Sequence, residues 1–530
     1  MTQAKVLVAD KLSPKGIEIL RAADGLQVEV KTGLTPDELI AEIPSYRGLI
    51  VRSTTQVTAN VLEAAANLKL VGRAGIGTDN IDVEVASKRG IIVMNAPEGN
   101  SVTAAEHTIA LMLSLSRKIP QATASMKAGQ WEKNKFMGVE VCHKTLGVIG
   151  LGRIGRLVAK RAQALGMTTI GHDPYISSEA AEALGVPLVE LDELVRRSDY
   201  ITVHTPKTDA TTYLIGEPEF EKMKKGVRIL NCARGGIFDE RALYQALASG
   251  KVAGAALDVF EQEPPRDNPL IGLDSVICTP HLGASTEEAQ DNVAIEMAEQ
   301  VVSFFQKGEI RNAVNVPTLS AELLQKMEPY LGLMEKLGRL TAQLVEGGLR
   351  QVRISYSGEV SSHDIRYLTV VFLKGLLEHF LREGVNLVNA LILARERGIR
   401  VVENITSETE DYASLIQVET VTDKEEGQLA GTLYGRKDAR LVRINGYPVE
   451  VVLSGHLLIF SNKDLPGVVG RVGTILGSSQ INIAEMHLGR KDSGGTATAI
   501  VSVDSQVPES VLQEIRALPQ IFYVRTANCR

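Results

Sequence analysis

The chain is expected to be an α/β protein in four parts: two doubly wound parallel-sheet domains, an α+β domain, and a small βαββαβ domain. Three observations carry that expectation. Through the first 317 residues, short β-rich runs alternate with amphipathic helical stretches, the pattern of a parallel sheet covered by helices on both faces. Near residue 150 an apolar run enters a glycine-rich turn and continues at helical spacing. Beyond Pro317 the texture changes, and the last stretch orders its runs as strand, helix, strand, strand, helix, strand.

In the first part, strands are expected at 5–10, 48–53, 68–74 and 91–95, with helices at 14–22, 36–42 and 59–66. From Ser101 a long helix runs to about Arg117 and crosses to the next domain.

The apolar run 146–149 leads into Gly150, Gly152 and Gly155, followed by Val158, Ala162 and Leu165 at helical spacing. The first glycine permits a sharp turn, the second lets a pyrophosphate approach the backbone, and the third lets helix and strand pack closely. Free amides at the helix start then suit phosphate oxygens. After a second β-type run, 168–171, stands Asp173, placed to accept hydrogen bonds from an adenosine ribose and to repel a 2′-phosphate. The stretch therefore predicts a Rossmann-type domain that binds NAD in preference to NADP. An ordinary strand-to-helix turn is the bland alternative, and the flanking strand, helix and acid together weigh against it.

Further strands are expected at 200–203, 227–231, 254–259 and 276–279. They end in His204-Thr205-Pro206, in Cys232-Ala233-Arg234-Gly235-Gly236, at Asp258, and in Pro280-His281-Leu282-Gly283. Ligands of open parallel sheets bind at such carboxyl ends. Ser285-Thr286-Glu287-Glu288 reads as a capping box opening a helix to about Lys307. That helix is expected to return to the first sheet. This places a substrate domain, flavodoxin-like, at 1–98 plus 288–316, with the cofactor domain, 99–287, inserted in it.

Residues 318–452 form the third part, with helices at 321–346 and 367–397 and strands at 351–356, 414–420, 431–434 and 449–452, and with no catalytic constellation. The fourth, 455–530, has strands at 457–460, 484–489, 496–503 and 521–526 and helices at 467–478 and 508–518.

Composition narrows the function classes. With 530 residues, 44% apolar and 23% charged, the chain resembles an ordinary soluble protein of several cores. A net charge of −7 provides no general attraction to nucleic acid or to an anionic membrane. The four cysteines lack a CxxC pair and suit reduced thiols, which points to the cytoplasm. The sequence offers no metal cluster, signal peptide or membrane-spanning run.

A nicotinamide enzyme acting on a secondary alcohol needs a base, a cation for a substrate carboxylate, and a partner that holds the base. His281 is the best base, since imidazole titrates near neutrality and this one follows a strand end. Glu263 could pair with it and fix its tautomer; Glu261 competes for that role, and the sequence leaves the choice open. Arg234 offers a planar fork for a carboxylate, with a structural ion pair as its alternative. Cys232 reads as packing; His204 could also be a base, with a backbone-shaping or cofactor-facing role before Thr205-Pro206 as its alternative. His107, His143 and His172 read as structural or surface residues. Arg52-Ser53 and Asn100-Ser101 suit an anionic phosphate across the cleft, and the glycine-rich run from Gly75 to Asp79 offers amides to a carboxylate or phosphate.

These stretches together resemble the D-isomer-specific 2-hydroxyacid dehydrogenases. The resemblance is carried by Val51-Arg52-Ser53-Thr54, the run Gly72-Arg73-Ala74-Gly75-Ile76-Gly77-Thr78-Asp79-Asn80, Leu151-Gly152-Arg153-Ile154-Gly155, Asn231-Cys232-Ala233-Arg234-Gly235-Gly236, Ala255-Ala256-Leu257-Asp258-Val259-Phe260 and the run Pro280-His281-Leu282-Gly283-Ala284-Ser285-Thr286. It implies a triad of Arg234, Glu263 and His281, with His281 as acid/base, which decides between the two glutamates. It implies cofactor contacts from Thr78, Arg153, Ile154, Asp173, Thr205, Cys232, Ala233, Asp258, Gly283 and Ala284, and substrate contacts from Arg52, Ser53, Gly75, Asn100 and Ser101. The activity implied is NAD-dependent oxidation of 3-phospho-D-glycerate to 3-phosphohydroxypyruvate, in a homodimer or homotetramer.

Residues 318–452 look like the intervening domain of the family's long form, most visibly at Gly384-Val385-Asn386-Leu387-Val388-Asn389-Ala390. The last part resembles an ACT domain, an amino-acid-binding regulatory module. That implies effector contacts from Asp464 and Asn482; Asn462, where serine-inhibited relatives often carry His or Tyr, leaves serine as the effector open. Two other readings stand beside this one: a dehydrogenase for another D-2-hydroxyacid, and an NAD-sensing binding protein.

Overall fold

The computed structural model describes residues 3–317, 321–381, 384–408, 411–435, 437–492 and 494–529, so the start expected at 318 for the third part lies outside the described residues. The first sheet consists of β1 (Ala4–Val8), β2 (Leu26–Val30), β3 (Gly48–Val51), β4 (Leu70–Arg73) and β5 (Ile92–Asn95). It is parallel throughout, in the order β2-β1-β3-β4-β5. The sequence reading omits β2. Leu-Gln-Val-Glu-Val is half polar, and its place at the sheet edge, paired to β1 alone, makes that tolerable.

The second sheet holds β6 (Thr145–Ile149), β7 (Thr168–His172), β8 (Tyr200–Val203), β9 (Val227–Asn231), β10 (Val252–Leu257) and β11 (Val276–Cys278). It too is parallel, in the order β11-β10-β9-β8-β6-β7. Chain direction around the sheet reverses between β6 and β8, and a crevice opens at such a switch point beyond the strand ends. Helix Ser101–Arg117 buries Leu111, Met112 and Leu115 in this part.

Helix Glu287–Lys307 returns to the first sheet, where Val293, Met297 and Val301 share a core with Val6, Ile50 and Met94. Its approach is close: a Cβ on Gly16 would lie 2.6 Å from the Ala294 carbonyl oxygen. The expected Ser285–Glu288 box does not form. The helix starts one residue later, capped by Thr286, whose hydroxyl accepts from the Ala289 amide at 3.2 Å; Glu288 is thereby out of register to reach back to the cap.

The third sheet is mixed: β12 (Leu349–Gly358), β13 (Arg400–Thr406), β14 (Ser414–Thr422), β15 (Glu426–Tyr434), β16 (Asp438–Ile444) and β17 (Tyr447–Val452), in the order β13-β12-β14-β15-β16-β17. Only β12 and β13 in this sheet are paired in parallel. Strands β13 and β16 escape the sequence reading, β13 because this edge strand is largely exposed and polar. The single helix expected over 367–397 is two, Arg366–Leu381 and Ala390–Glu396. Gly384 at φ +89° turns the chain between them, and the Asn389 amide group donates to the Gly384 carbonyl at 2.6 Å.

The fourth sheet, β18 (His456–Lys463), β19 (Ile483–Arg490), β20 (Thr496–Val503) and β21 (Ile521–Asn528), is antiparallel in the order β19-β20-β18-β21. With helices Val468–Ser478 and Glu509–Arg516 it makes the expected βαββαβ unit. Leu457, Ile459 and Ala527 share one core with Leu337 and Ile444 of the third part. Arg525 adds a two-point ion pair to Glu425, at 3.0 and 2.9 Å.

Candidate active site

A cleft of about 530 Å³ lies between the carboxyl ends of the first and second sheets. From the turn after β6 come Arg153 and Ile154, and after β8 Thr205; Cys232, Ala233 and Arg234 follow β9. Asp258 follows β10, and His281, Gly283 and Ala284 follow β11. Thr78 reaches the cleft from the loop beyond β4, and Asn100 and Ser101 reach it from the start of the crossing helix.

The glycine turn has the geometry its spacing demands. Gly150 takes φ +87°, and a Cβ there would stand 2.7 Å from the His204 carbonyl oxygen. A Cβ on Gly155 would lie 2.0 Å from the Gly150 oxygen, so this glycine sets the helix–strand approach. Gly152 differs: a Cβ there would meet nothing within 4 Å, which leaves its backbone open on one side. Asp173 stands against the same turn, its carboxylate accepting from the Leu151 amide at 2.8 Å and the Tyr175 amide at 2.9 Å. On the cleft wall, Asn100 Oδ1, His204 Nδ1 and Thr205 Oγ1 are buried without a hydrogen-bond partner among the described residues. Such atoms are costly unless something polar meets them, and a dinucleotide would.

His281 takes a left-handed backbone, φ +55°, and its Nδ1 meets Glu263 Oε2 at 2.8 Å. Burial pushes the Glu263 carboxyl up, but the hydrogen bond and charge of His281 and the Phe260 amide outweigh it and hold the group below its usual range. Glu263 itself is outside the cleft lining, on a neighbouring largely apolar cavity of about 360 Å³. Glu261 points elsewhere, accepting from the Tyr213 hydroxyl and the Glu240 amide, each at 3.2 Å.

Arg234 crosses the cleft: its Nε donates to Asp79 Oδ2 at 2.9 Å and its Nη1 to the Ala233 carbonyl at 2.7 Å. It rests on Gly77, where a Cβ would come within 1.6 Å of Nη2. Cys232 is buried, and burial pushes its thiol up to about 12, which fits packing and not attack.

Arg52, Ser53 and Gly75 stand outside the lining; Arg52 is turned to the Lys11 carbonyl, 3.3 Å away. Arg73, which the sequence reading passes over, lines the cleft in their stead. Its guanidinium fills the space beside Gly75, at φ +148°, where a Cβ would be 1.4 Å from Nη1. Burial, with repulsion from Arg234, lowers it to about 10, and its Nε is buried without a partner. A cation at the carboxyl end of β4 was the signal available. Lys207, after β8, is a second cation on the wall that the reading passes over.

In the fourth part, Asp464 accepts from Arg490 at 3.5 Å and from the Gly494 amide at 3.3 Å. Asn482 donates to Asp504 at 2.8 Å. Among the described residues no cluster of three metal-binding side chains occurs, and no helix is long and apolar enough to cross a membrane.

Residues 109–283 match the D-isomer specific 2-hydroxyacid dehydrogenase NAD binding domain, 326–445 the D-3-phosphoglycerate dehydrogenase intervening domain, and 456–520 the ACT domain. The chain is 48% identical to D-3-phosphoglycerate dehydrogenase of Archaeoglobus fulgidus, over 98% of each chain. It is 42% identical to that of Bacillus subtilis, over 98% of this chain and 99% of the relative. Among solved structures, D-lactate dehydrogenase from Aquifex aeolicus complexed with NAD and lactic acid is 29% identical with a TM-score of 0.53, covering 59% of this chain and all of that one. The chain belongs to the D-isomer-specific 2-hydroxyacid dehydrogenase family, in its D-3-phosphoglycerate dehydrogenase form with intervening and ACT domains.

Proposed function

We propose that this chain oxidises 3-phospho-D-glycerate to 3-phosphohydroxypyruvate, the first step of the phosphorylated route to L-serine, with NAD as the second substrate. The observation that carries the proposal is His281 on the wall of a cleft that also receives Arg234, with Glu263 at 2.8 Å behind its imidazole. NAD, when bound, supplies the hydride acceptor. The turn at Gly150, Gly152 and Gly155 would hold its pyrophosphate, Asp173 its ribose, and Thr78, Arg153, Ile154, Thr205, Cys232, Ala233, Asp258, Gly283 and Ala284 its remaining length.

Arg234 holds the substrate carboxylate and so orients C2. His281 takes the C2-hydroxyl proton on Nε2, while Glu263 on Nδ1 fixes the tautomer that leaves Nε2 free to accept it. In the reverse direction the same nitrogen returns the proton. Asn100, Ser101 and Arg73 supply donors for the phosphate end, with Gly75 leaving room for the Arg73 guanidinium, and Arg52, near enough to repel the Arg73 charge, would join them by swinging off the Lys11 carbonyl.

Asp464 and Asn482 are assigned to an amino-acid effector, serine being the first to test, in a cytoplasmic homodimer or homotetramer. An NADH-production assay on 3-phosphoglycerate, with and without serine, tests substrate and cofactor together. Arg52→Ala should raise KM for the phosphorylated substrate far more than for an unphosphorylated hydroxyacid, and equal effects would move the assignment to another D-2-hydroxyacid.

A further inference from the structure

The 279–283 loop that presents His281 is wrapped around one carboxylate. Asp258, 1% exposed, accepts from the Thr279 hydroxyl at 2.5 Å, the Leu282 amide at 2.7 Å and the Gly283 amide at 2.8 Å. Its carbonyl accepts from the His281 amide at 2.9 Å. Among the described residues, the carboxylate has one partner from outside this loop: His107 Nε2, 3.2 Å from Oδ1 and 3.1 Å from the Thr279 hydroxyl oxygen. An ionised carboxylate only accepts, and the Thr279 proton is already given to Asp258. His107 Nε2 must therefore carry a hydrogen and donate toward both oxygens.

His107 belongs to the crossing helix Ser101–Arg117, whose first turn carries Ser101 and Ala104 to the cleft wall. The contact thus ties the crossing helix to the loop holding His281 in its left-handed backbone, a conformation a non-glycine residue keeps only when its surroundings enforce it. We infer that His107 is a positioning residue for the proposed reaction: through Asp258 it fixes the 279–283 loop, and with it the imidazole of His281, relative to the crossing helix. The sequence reading gave His107 a structural or surface role. The inference rests on the function proposed above, and one arm of its test does not.

His107→Leu removes the donor at similar bulk, and His107→Gln keeps an N–H near the position of Nε2. The Leu variant should speed hydrogen exchange of the Leu282 and Gly283 amides about tenfold. It should lower kcat on 3-phosphoglycerate by on the order of tenfold, with KM for that substrate within about twofold, because the loss falls on orientation of the base and not on carboxylate binding. The Gln variant should restore both to within about threefold of the parent protein. Parent-like exchange and kcat in the Leu variant, or a Gln variant as impaired as the Leu one, would overturn the inference. A parent protein that does not turn over 3-phosphoglycerate would instead fail the functional proposal, and the exchange measurement would still decide whether His107 holds the loop.

Discussion

Arg234 and Asp79 join the two sheets across the cleft, Nε to Oδ2 at 2.9 Å, with the Nη2 end of the guanidinium against Gly77. A methyl group at residue 77 would fall 1.6 Å from Nη2, and the flexible side chain can move away without unfolding anything. Gly77→Ala is therefore expected to lower kcat/KM for the hydroxyacid by about 10–100-fold while the Tm changes little. Steady-state kinetics with thermal denaturation on the same sample checks it; a large Tm loss with normal kinetics would contradict it.

Glu263 and Glu261 are two residues apart and face different partners, His281 for the first, Tyr213 and the Glu240 amide for the second. Glu263→Gln should reduce kcat by on the order of 100-fold, since a neutral amide replaces the charge that stabilises the imidazolium formed when His281 takes up the proton. Glu261→Gln should stay within about threefold of the parent, because nothing it touches reaches the reacting atoms. Comparable losses in both variants would count against the assigned pair.

Asp173 is held beside the glycine turn by two amides, at 2.8 and 2.9 Å. Asp173→Ala is expected to raise KM for NAD about tenfold, the cost of one hydrogen bond to a charged group. It should also narrow the preference over NADP, because the repulsion of a 2′-phosphate goes with the carboxylate. The ratio of kcat/KM for the two cofactors measures this, and an unchanged ratio would place ribose recognition elsewhere.

Acid sensitivity has a traceable source in His204, whose burial pushes its imidazole down to about 4. Its unfolded value is about 6.5, so below that pH the unfolded chain takes up a proton that the folded one refuses. The stability this group contributes is whole above pH 6.5 and is lost as the pH falls toward 4. Glu263 and Asp258, both held below their usual range, act in the same direction at lower pH, as each is protonated on passing its folded value. Tm measured from pH 7.5 to 4.5 should fall less steeply in His204→Asn, and parallel curves would reject this source.

Periodicity located most elements of the first two parts, because parallel strands buried on both faces are continuous apolar runs and their helices are amphipathic. Helices Pro14–Ala22, Pro36–Glu42 and Ser101–Arg117 begin and end where the pattern says. Strands β2 and β13 were invisible for the opposite reason: edge strands keep polar residues, and a neighbour's backbone defines them. The break at Gly384 was missed because helical periodicity continues on both sides of it.

The site divides in the same way. Gly150, Gly152, Gly155 and Asp173 could be read directly, since their chemistry is local in the chain and their spacing alone implies the turn. The residues around His281 left Glu261 and Glu263 open, and only the family resemblance chose Glu263; the partners of Arg234 and Arg73 could not be read at all, because each is chosen by a fold that brings distant segments together: Asp79 from the other sheet, and the space left by Gly75. The sequence by itself determined the cofactor turn, the succession of domains and the family. Tertiary structure alone decided which cations face the cleft, that Arg234 reaches Asp79, and that His107 reaches Asp258. Hydrogen bonds and ion pairs depend on distances of a few ångströms between residues that lie tens to hundreds of positions apart, and no local pattern encodes those distances.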